Sequence, residues 1–189
     1  VPVFASAAQL TERSLALSSS SKAATAVSYN IKFNQETNAD AVVIQFCTNS
    51  PLVGEFCDAP AGMVVTGATA GTGVTAVSSA TGSTIKVTKA GATEDLTITG
   101  ITNPTDAGTV FARILTYADA TAALDYVVDD DSSALGSPVD QGSVAIAFTN
   151  TVGVSGAVLE ALTFCVSGSE LTGTDCTIGY SAPVLTLGE

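Results

Sequence analysis

The stretch Val27-Ser28-Tyr29-Asn30-Ile31-Lys32-Phe33 decides the fold class, because large apolar side chains alternate with polar ones along it. Successive side chains of an extended strand point to opposite faces, so this pattern predicts a β-strand with one face in a hydrophobic core. Residues 41–48 are more continuously apolar. A short continuous apolar run of this kind is typical of a central strand that is buried on both faces.

The same kinds of pattern recur along the chain and predict further strands at residues 84–88, 96–99, 110–117, 144–148, 158–166 and 184–187. The Gly/Thr/Ala/Ser-rich residues 62–83 predict two thin strands, near 64–65 and 74–77, with weakly specified register. The best helical candidate, residues 118–124, is short enough to be a loop or a single turn. We therefore expect an all-β protein, a β-sandwich of the immunoglobulin-like or jelly-roll-like kind with an N-terminal extension strand.

The chain has 189 residues, a length typical of one domain or two small ones. We predict an N-terminal extension over residues 1–12 and a single sandwich domain over residues 13–189. A weak internal repeat leaves an alternative open. Each half of the chain contains a Phe-Cys pair that is followed by a second cysteine and then by an Ala-Pro pair. The alternative is two related modules that divide near residues 118–141.

Composition excludes several function classes. Eighteen acidic residues against six basic ones give a net charge of -12 at pH 7, and there is no histidine. Such a chain lacks imidazole bases and ligands and cannot neutralise a phosphate backbone, so nucleic acid is not an expected partner. Anionic lipids would repel it, and no apolar run is long enough to span a bilayer, so we expect no direct membrane insertion.

The four cysteines fall into two local pairs, and each pair brackets turn-rich residues. We predict the disulfides Cys47–Cys57 and Cys165–Cys176, because structural zinc prefers closer cysteine spacing. Four buried free thiols are the alternative. Two disulfides would indicate an oxidising compartment, and therefore a secreted protein at the cell surface or outside the cell.

The first ten residues are largely apolar, and Ala5-Ser6-Ala7 matches the small residues that precede a signal-peptidase cut. These residues are interpreted either as the retained tail of a longer signal peptide or as the start of a chain that was cut upstream. An ordered apolar terminus docks within its own subunit or pairs with a neighbour's sheet edge. We predict the second, with a donor strand that uses Val1, Val3, Phe4, Ala5, Ala7 and Leu10.

Acidic residues cluster in one segment, where Asp129, Asp130 and Asp131 are flanked by Asp119, Asp125 and Asp140. We interpret this segment as a solvated acidic loop, because runs of like charge repel each other. A calcium site made of Asp125, Asp129, Asp130 and Asp131 is the weaker alternative, since carboxylates are the ligands that calcium prefers. No metal is therefore assigned.

The chain contains neither a nucleophile elbow nor a phosphate-binding loop, and we expect neither a catalytic site nor a cofactor. A covalent lysine–asparagine crosslink is not expected either, because no lysine is predicted to enter the core. Lys32 and Lys86 lie on the polar phase of their strands, and Lys22 and Lys89 lie in loop-like segments.

Four segments carry a resemblance to a known group of proteins: residues 8–20, the Phe46-Cys47 hairpin, residues 111–114 and residues 162–166. On these segments the chain resembles a family of uncharacterised secreted β-rich surface proteins of reduced-genome, candidate-phyla bacteria. The resemblance implies a cell-surface protein and assigns no catalytic residue. The chain is more loosely similar to donor-strand-exchanged pilins, through its β composition and apolar N-terminal extension.

These observations lead to one expected function and one alternative. We expect a non-enzymatic, secreted subunit of a cell-surface filament or pilus, a homopolymer in which the N-terminal strand pairs with the neighbouring copy. The alternative is a monomeric adhesin or ligand-binding module, with or without calcium, that contacts a host or neighbouring cell surface.

Overall fold

The computed structural model describes residues 7–128 and 133–150. Within these residues nearly all regular structure is β, with one helix of five residues, α1 (Ala120–Leu124). The strands in chain order are β1 (Ala8–Gln9), β2 (Thr11–Leu17), β3 (Val27–Asn34), β4 (Ala41–Cys47), β5 (Thr69–Ala70), β6 (Val74–Thr81), β7 (Thr84–Lys89), β8 (Asp95–Ile101), β9 (Gly108–Tyr117), β10 (Val127–Val128), β11 (Ser133–Ala134) and β12 (Asp140–Phe148).

Two sheets pack against each other and confirm the predicted β-sandwich. The larger sheet has six strands in the order β1-β12-β9-β4-β7-β6, and the smaller has four in the order β2-β3-β8-β5. β10 and β11 form a separate two-stranded ribbon. All pairings are antiparallel except β1 with β12, which run parallel.

The main core lies between the two sheets, and both sheets contribute alternate residues to it. Along β3 the buried side chains are Val27, Tyr29, Ile31 and Phe33, as the alternation predicts. The Tyr29 ring meets Phe46 of the opposite sheet edge to face, with ring centres 5.5 Å apart. Edge-to-face pairs of this kind stabilise a core beyond the area they bury.

A second, smaller apolar cluster covers the outer face of the six-stranded sheet. It joins Val43 and Tyr117 of the sheet to Ala123 and Tyr126, which belong to the chain segment between β9 and β12. β4 is therefore buried on both faces over its whole length, which confirms its prediction as a central strand. Because β9 and β12 pair directly with each other, this segment leaves and rejoins the same sheet.

The chain passes from one sheet to the other close to its N-terminus. Ala8 and Gln9 pair with β12, Leu10 enters the core, and β2 then pairs with β3. Glu12 has a left-handed backbone with a φ of 47°, and the register of β2 shifts there. The predicted extension thus takes part in both sheets from residue 8 onward. The domain bounds 1–12 and 13–189 include residues outside those described, so they stay a prediction.

Three segments differ in detail from their predicted structure. Val64 makes an isolated bridge with Thr102, whereas β6 is longer than predicted and has two register shifts. Lys89 was expected in a loop, and this was wrong: it ends β7 and is 3% exposed. Its Nζ donates to Gln35 Oε1 at 3.0 Å, so a lysine can enter this core because the fold supplies an acceptor.

Candidate functional site

Among the described residues, β1 pairs with only the first two residues of β12, so most of this edge of β12 has no strand paired with it there. Odd-numbered residues of β12 point their backbone groups toward this edge. Gln141 O accepts the Leu10 N–H at 2.9 Å, and Thr149 bonds to residues 20 and 22 at the far end. Between these two points, Ser143, Ala145 and Ala147 have outward N–H and C=O groups without a hydrogen-bond partner in the described part of the chain.

A groove of about 650 Å³ lies along this free edge. We call it the edge slot. One wall is formed by Ala145, Ile146 and Ala147 of β12, and the other by Leu15 and Leu17 of β2, with residues 18–21 at one end. The slot therefore combines unpaired backbone groups with apolar side chains, which are the two features that an added β-strand uses.

The far end of the slot is firmly built. The Thr149 N–H donates to Ser20 O and the Lys22 N–H donates to Thr149 O, both at 2.9 Å. The buried Asn103 donates from Nδ2 to Ser19 O and Ser21 O, at 2.9 and 2.8 Å, and its Oδ1 accepts the Tyr29 hydroxyl at 2.8 Å. The slot thus ends at a hydrogen-bonded strap that is tied to the core.

A second feature lies on the outer face of the same sheet, where a disulfide closes a loop after β4. Cys47 and Cys57 are bonded, as predicted. Arg113 of β9 is fully buried beneath this loop and donates to Ser50 O, Glu55 O and Phe56 O at distances between 2.7 and 3.3 Å. Burial lowers the pKa of this guanidinium, and its contacts hold the loop in place.

The same loop exposes two large apolar side chains. Leu52 is 58% exposed and Phe56 is 43% exposed, although the backbone around them is fixed by Arg113 and the disulfide. Apolar side chains on a fixed surface loop are available to a partner without a large ordering cost. The loop is therefore a further candidate contact surface among the described residues.

Only part of the predicted donor strand falls within the described residues. Ala7 is half-buried, and Leu10 is 1% exposed in the core of its own chain. Val1, Val3, Phe4 and Ala5 lie outside the described residues, as do Cys165 and Cys176. The donor strand and the second disulfide therefore stay predictions.

The acidic residues divide among different roles. Asp119 caps α1 by accepting the Ala122 N–H at 2.8 Å, and Asp125 is an exposed residue at the end of that helix. Asp140 is not part of a solvated loop, which corrects that interpretation: it begins β12, is fully buried and accepts the Thr37 N–H at 3.1 Å. Asp129, Asp130 and Asp131 lie outside the described residues.

Across residues 7–128 and 133–150, no three acidic or cysteine side chains lie together as a metal site would require. In the same residues, no helix is long and apolar enough to cross a membrane.

Comparison with known protein families, with curated proteins and with solved structures finds no match to this chain.

Sequence reasoning missed the edge slot. Its β2 wall was not predicted as a strand, because the polar Thr11-Glu12-Arg13-Ser14 precedes the two leucines. The alternation of Leu15 and Leu17 with small residues was the available signal. These leucines line the same groove as Ile146, which is more than 120 positions away in the sequence. A local sequence pattern does not reveal a contact between such distant residues.

Proposed function

We propose that this protein is a secreted, non-enzymatic subunit of a cell-surface homopolymer, in which the N-terminal residues of one copy fill the edge slot of the next. The observation that carries the proposal is the regular edge of β12, which lacks a paired strand among the described residues and borders a groove that Leu15 and Leu17 line on the other side. An added strand would satisfy the outward backbone groups of Ser143, Ala145 and Ala147, at about 1 kcal/mol per hydrogen bond.

The direction of the chain supports exchange between copies. β1 runs parallel to β12, and Ala8 donates to Val139 O, so the chain reaches β1 at the start of β12. The slot lies about 20 Å further along, near Ile146, because a strand rises about 3.4 Å per residue. Residues 1–6 of the same copy thus join the fold at the end remote from the slot, whereas those of a neighbour have no such constraint.

The donor is limited to residues 1–6, because Ala8 to Leu10 already pair with β12 of their own chain. Val1, Val3 and Ala5 alternate along this segment and would share one face of an added strand. Pro2 has no N–H to contribute and stands at the strand's start, where a ladder tolerates it. The Cys47–Cys57 disulfide supports the extracellular part of the proposal, since such bonds persist in oxidising compartments.

Deleting residues 1–6 tests the proposal. We expect the truncated protein to fold and to remain monomeric, because β1, β2 and the core stay intact. A synthetic peptide of residues 1–6 should bind it and raise its melting temperature without restoring polymer, since a free peptide fills the slot but links no neighbour.

A scrambled peptide of the same composition is the matched control and should not bind. Two results would reject the proposal: polymer formation by the truncated protein, or a full-length protein that stays monomeric at every concentration examined by light scattering and electron microscopy.

The second candidate is an adhesin or ligand-binding module that contacts another cell surface, and the fixed loop carrying Leu52 and Phe56 supports it. Replacing both residues by Ser should then abolish cell attachment and leave polymer formation unchanged. Unchanged attachment would remove this candidate.

A further inference from the structure

Arg13 differs from the other basic side chains that are at least half-buried, namely Lys86, Lys89 and Arg113, each of which has a hydrogen-bond partner. Lys32 pairs with Asp95 at 2.8 Å, and Lys86 donates to the carbonyls of Leu124 and Tyr126. Arg113 donates to loop carbonyls and to Gln45 Oε1. Arg13 is half-buried, yet its guanidinium has no hydrogen-bond or ion-pair partner among the described residues. A partly buried guanidinium with five free donors is a ready anchor for an anionic group.

The backbone around Arg13 positions this side chain. Its strand register shifts between Thr11 and Ser14, and Glu12 has a φ of 47°. A bulge of this kind re-aims the neighbouring side chain. The Arg13 side chain then crosses the seam between the sheets over Gly142, where an added Cβ would lie 2.2 Å from Arg13 Nη1 and 2.6 Å from its Cδ. Only glycine at position 142 leaves room for it.

The guanidinium borders a cleft of about 360 Å³ between β1, β12 and the disulfide loop. Its lining combines the polar residues Gln9, Gln141 and Ser143 of the two strands with the apolar Leu52 and its loop neighbours. Glu55 also borders the cleft, but its carboxylate already accepts the Ser50 hydroxyl at 2.6 Å and forms no ion pair with Arg13 in the described structure.

We infer that this cleft is a binding site for a carboxylated sugar, a ligand class such as the uronic acids. The Arg13 fork matches a carboxylate with two parallel hydrogen bonds. The two amide side chains and the Ser143 hydroxyl can both donate and accept, as the hydroxyl groups of a sugar ring require. The apolar loop side provides the non-polar lining that small-ligand sites share. The site is separate from the edge slot and does not depend on polymer formation.

The test is a titration of the full-length, ¹⁵N-labelled protein with glucuronate, followed by NMR. Glucose, which lacks the carboxylate, and N-acetylglutamate, which lacks the sugar ring, are the comparison ligands. We expect glucuronate to shift the Arg13 Nε–H resonance and the amides of Gln141 and Ser143 in a saturable way. Glucose should cause no saturable shift, and N-acetylglutamate should bind about tenfold more weakly or worse.

Two variants address the anchor by independent routes. Arg13→Met keeps an unbranched side chain as far as the position of Nε but removes the guanidinium and its charge, and Gly142→Ala displaces the guanidinium by its Cβ. Both should lower glucuronate affinity by about tenfold or more. Lys22→Gln removes the same charge from an exposed position outside the cleft and should leave the affinity unchanged.

Loss of binding in both cleft variants, with folded spectra, supports the site. Equal binding of N-acetylglutamate and glucuronate would overturn the sugar assignment. Unchanged glucuronate shifts in Arg13→Met, or an equal loss in Lys22→Gln, would overturn the site altogether.

Discussion

The two outer edges of the six-stranded sheet are built differently. β6 forms one edge, and its register with β7 shifts twice, between Val74 and Ala76 and again between Val77 and Ser79. β12 forms the other edge beyond the short β1, and its register with β9 runs from Asp140 to Phe148 without a shift. Bulges bend and twist an edge so that another strand cannot pair with it.

The difference indicates which edge accepts a partner. An irregular edge such as β6 is protected against chance pairing, whereas a regular and free edge is a liability unless something occupies it. The small, exposed Ala145 and Ala147 leave the β12 edge open, and the leucines of β2 give it an apolar wall. We therefore assign assembly to the β12 edge and not to the β6 edge.

The largest expected effect comes from blocking the β12 edge itself. Ala145→Pro removes an outward N–H, and since that group takes no part in the ladder with β9, the monomer should remain folded. We expect polymer formation, followed by light scattering, to be lost completely.

The matched control is Ala145→Ser, which keeps the N–H and should polymerise like the unmodified protein. If Ala145→Pro polymerises normally as well, the assignment of assembly to this edge is wrong.

A smaller effect is expected on the free energy of unfolding when the disulfide, which lies away from both edges, is removed. Replacing Cys47 and Cys57 by Ala opens a loop with a sequence separation of 10, which should lower the free energy of unfolding by about 3 kcal/mol. Urea denaturation measures this loss.

The same double variant should still polymerise, because β12 and the edge slot are unchanged in it. A disulfide-free protein that folds but forms no polymer would mean that the loop, and not the edge, joins the copies.

The smallest effect is a pH dependence of the free energy of unfolding. It arises from buried tyrosines and does not distinguish the two edges. Burial raises the pKa of Tyr29 and of Tyr117 well above the usual value of about 10. Both tyrosines stay protonated in the folded protein while the unfolded chain loses protons above about pH 10. Stability is thus fully present below that pH and falls above it, by up to about 1.4 kcal/mol per pH unit for each tyrosine.

Thermal denaturation between pH 8 and pH 11 measures this fall. Tyr117→Phe should make this fall shallower, since one of the two buried hydroxyls that stay protonated is removed. An unchanged slope would mean that other groups control the alkaline loss.

Much of the fold was predictable, because large apolar side chains mark its central strands. The alternation from Val27 to Phe33 and the apolar run from Ala41 to Cys47 each correspond to a strand with the expected burial. The Gly/Thr/Ala/Ser-rich stretch before Ser83 gave a weaker signal: a strand was predicted only at residues 74–77, whereas β6 runs from Val74 to Thr81.

The missed features are polar or depend on pairing between distant residues. Lys89 and Asp140 carry charges that usually indicate a surface, yet Gln35 and Thr37 from a distant loop supply their partners. Arg13 enters the seam only because Gly142, far along the chain, lacks a side chain. Local periodicity reports which face of a strand is apolar, but it does not report which strands become neighbours.

The most direct measurement of the central claim is hydrogen exchange at the backbone amides of Ser143, Ala145 and Ala147. It would compare the dilute monomer lacking residues 1–6 with the assembled full-length protein. We predict fast exchange in the monomer, where the β12 edge is open, and strong protection in the polymer, where a neighbour's strand covers it. Amides of the same edge that are already protected in the dilute monomer would contradict the account, because the slot would then be filled from within its own chain.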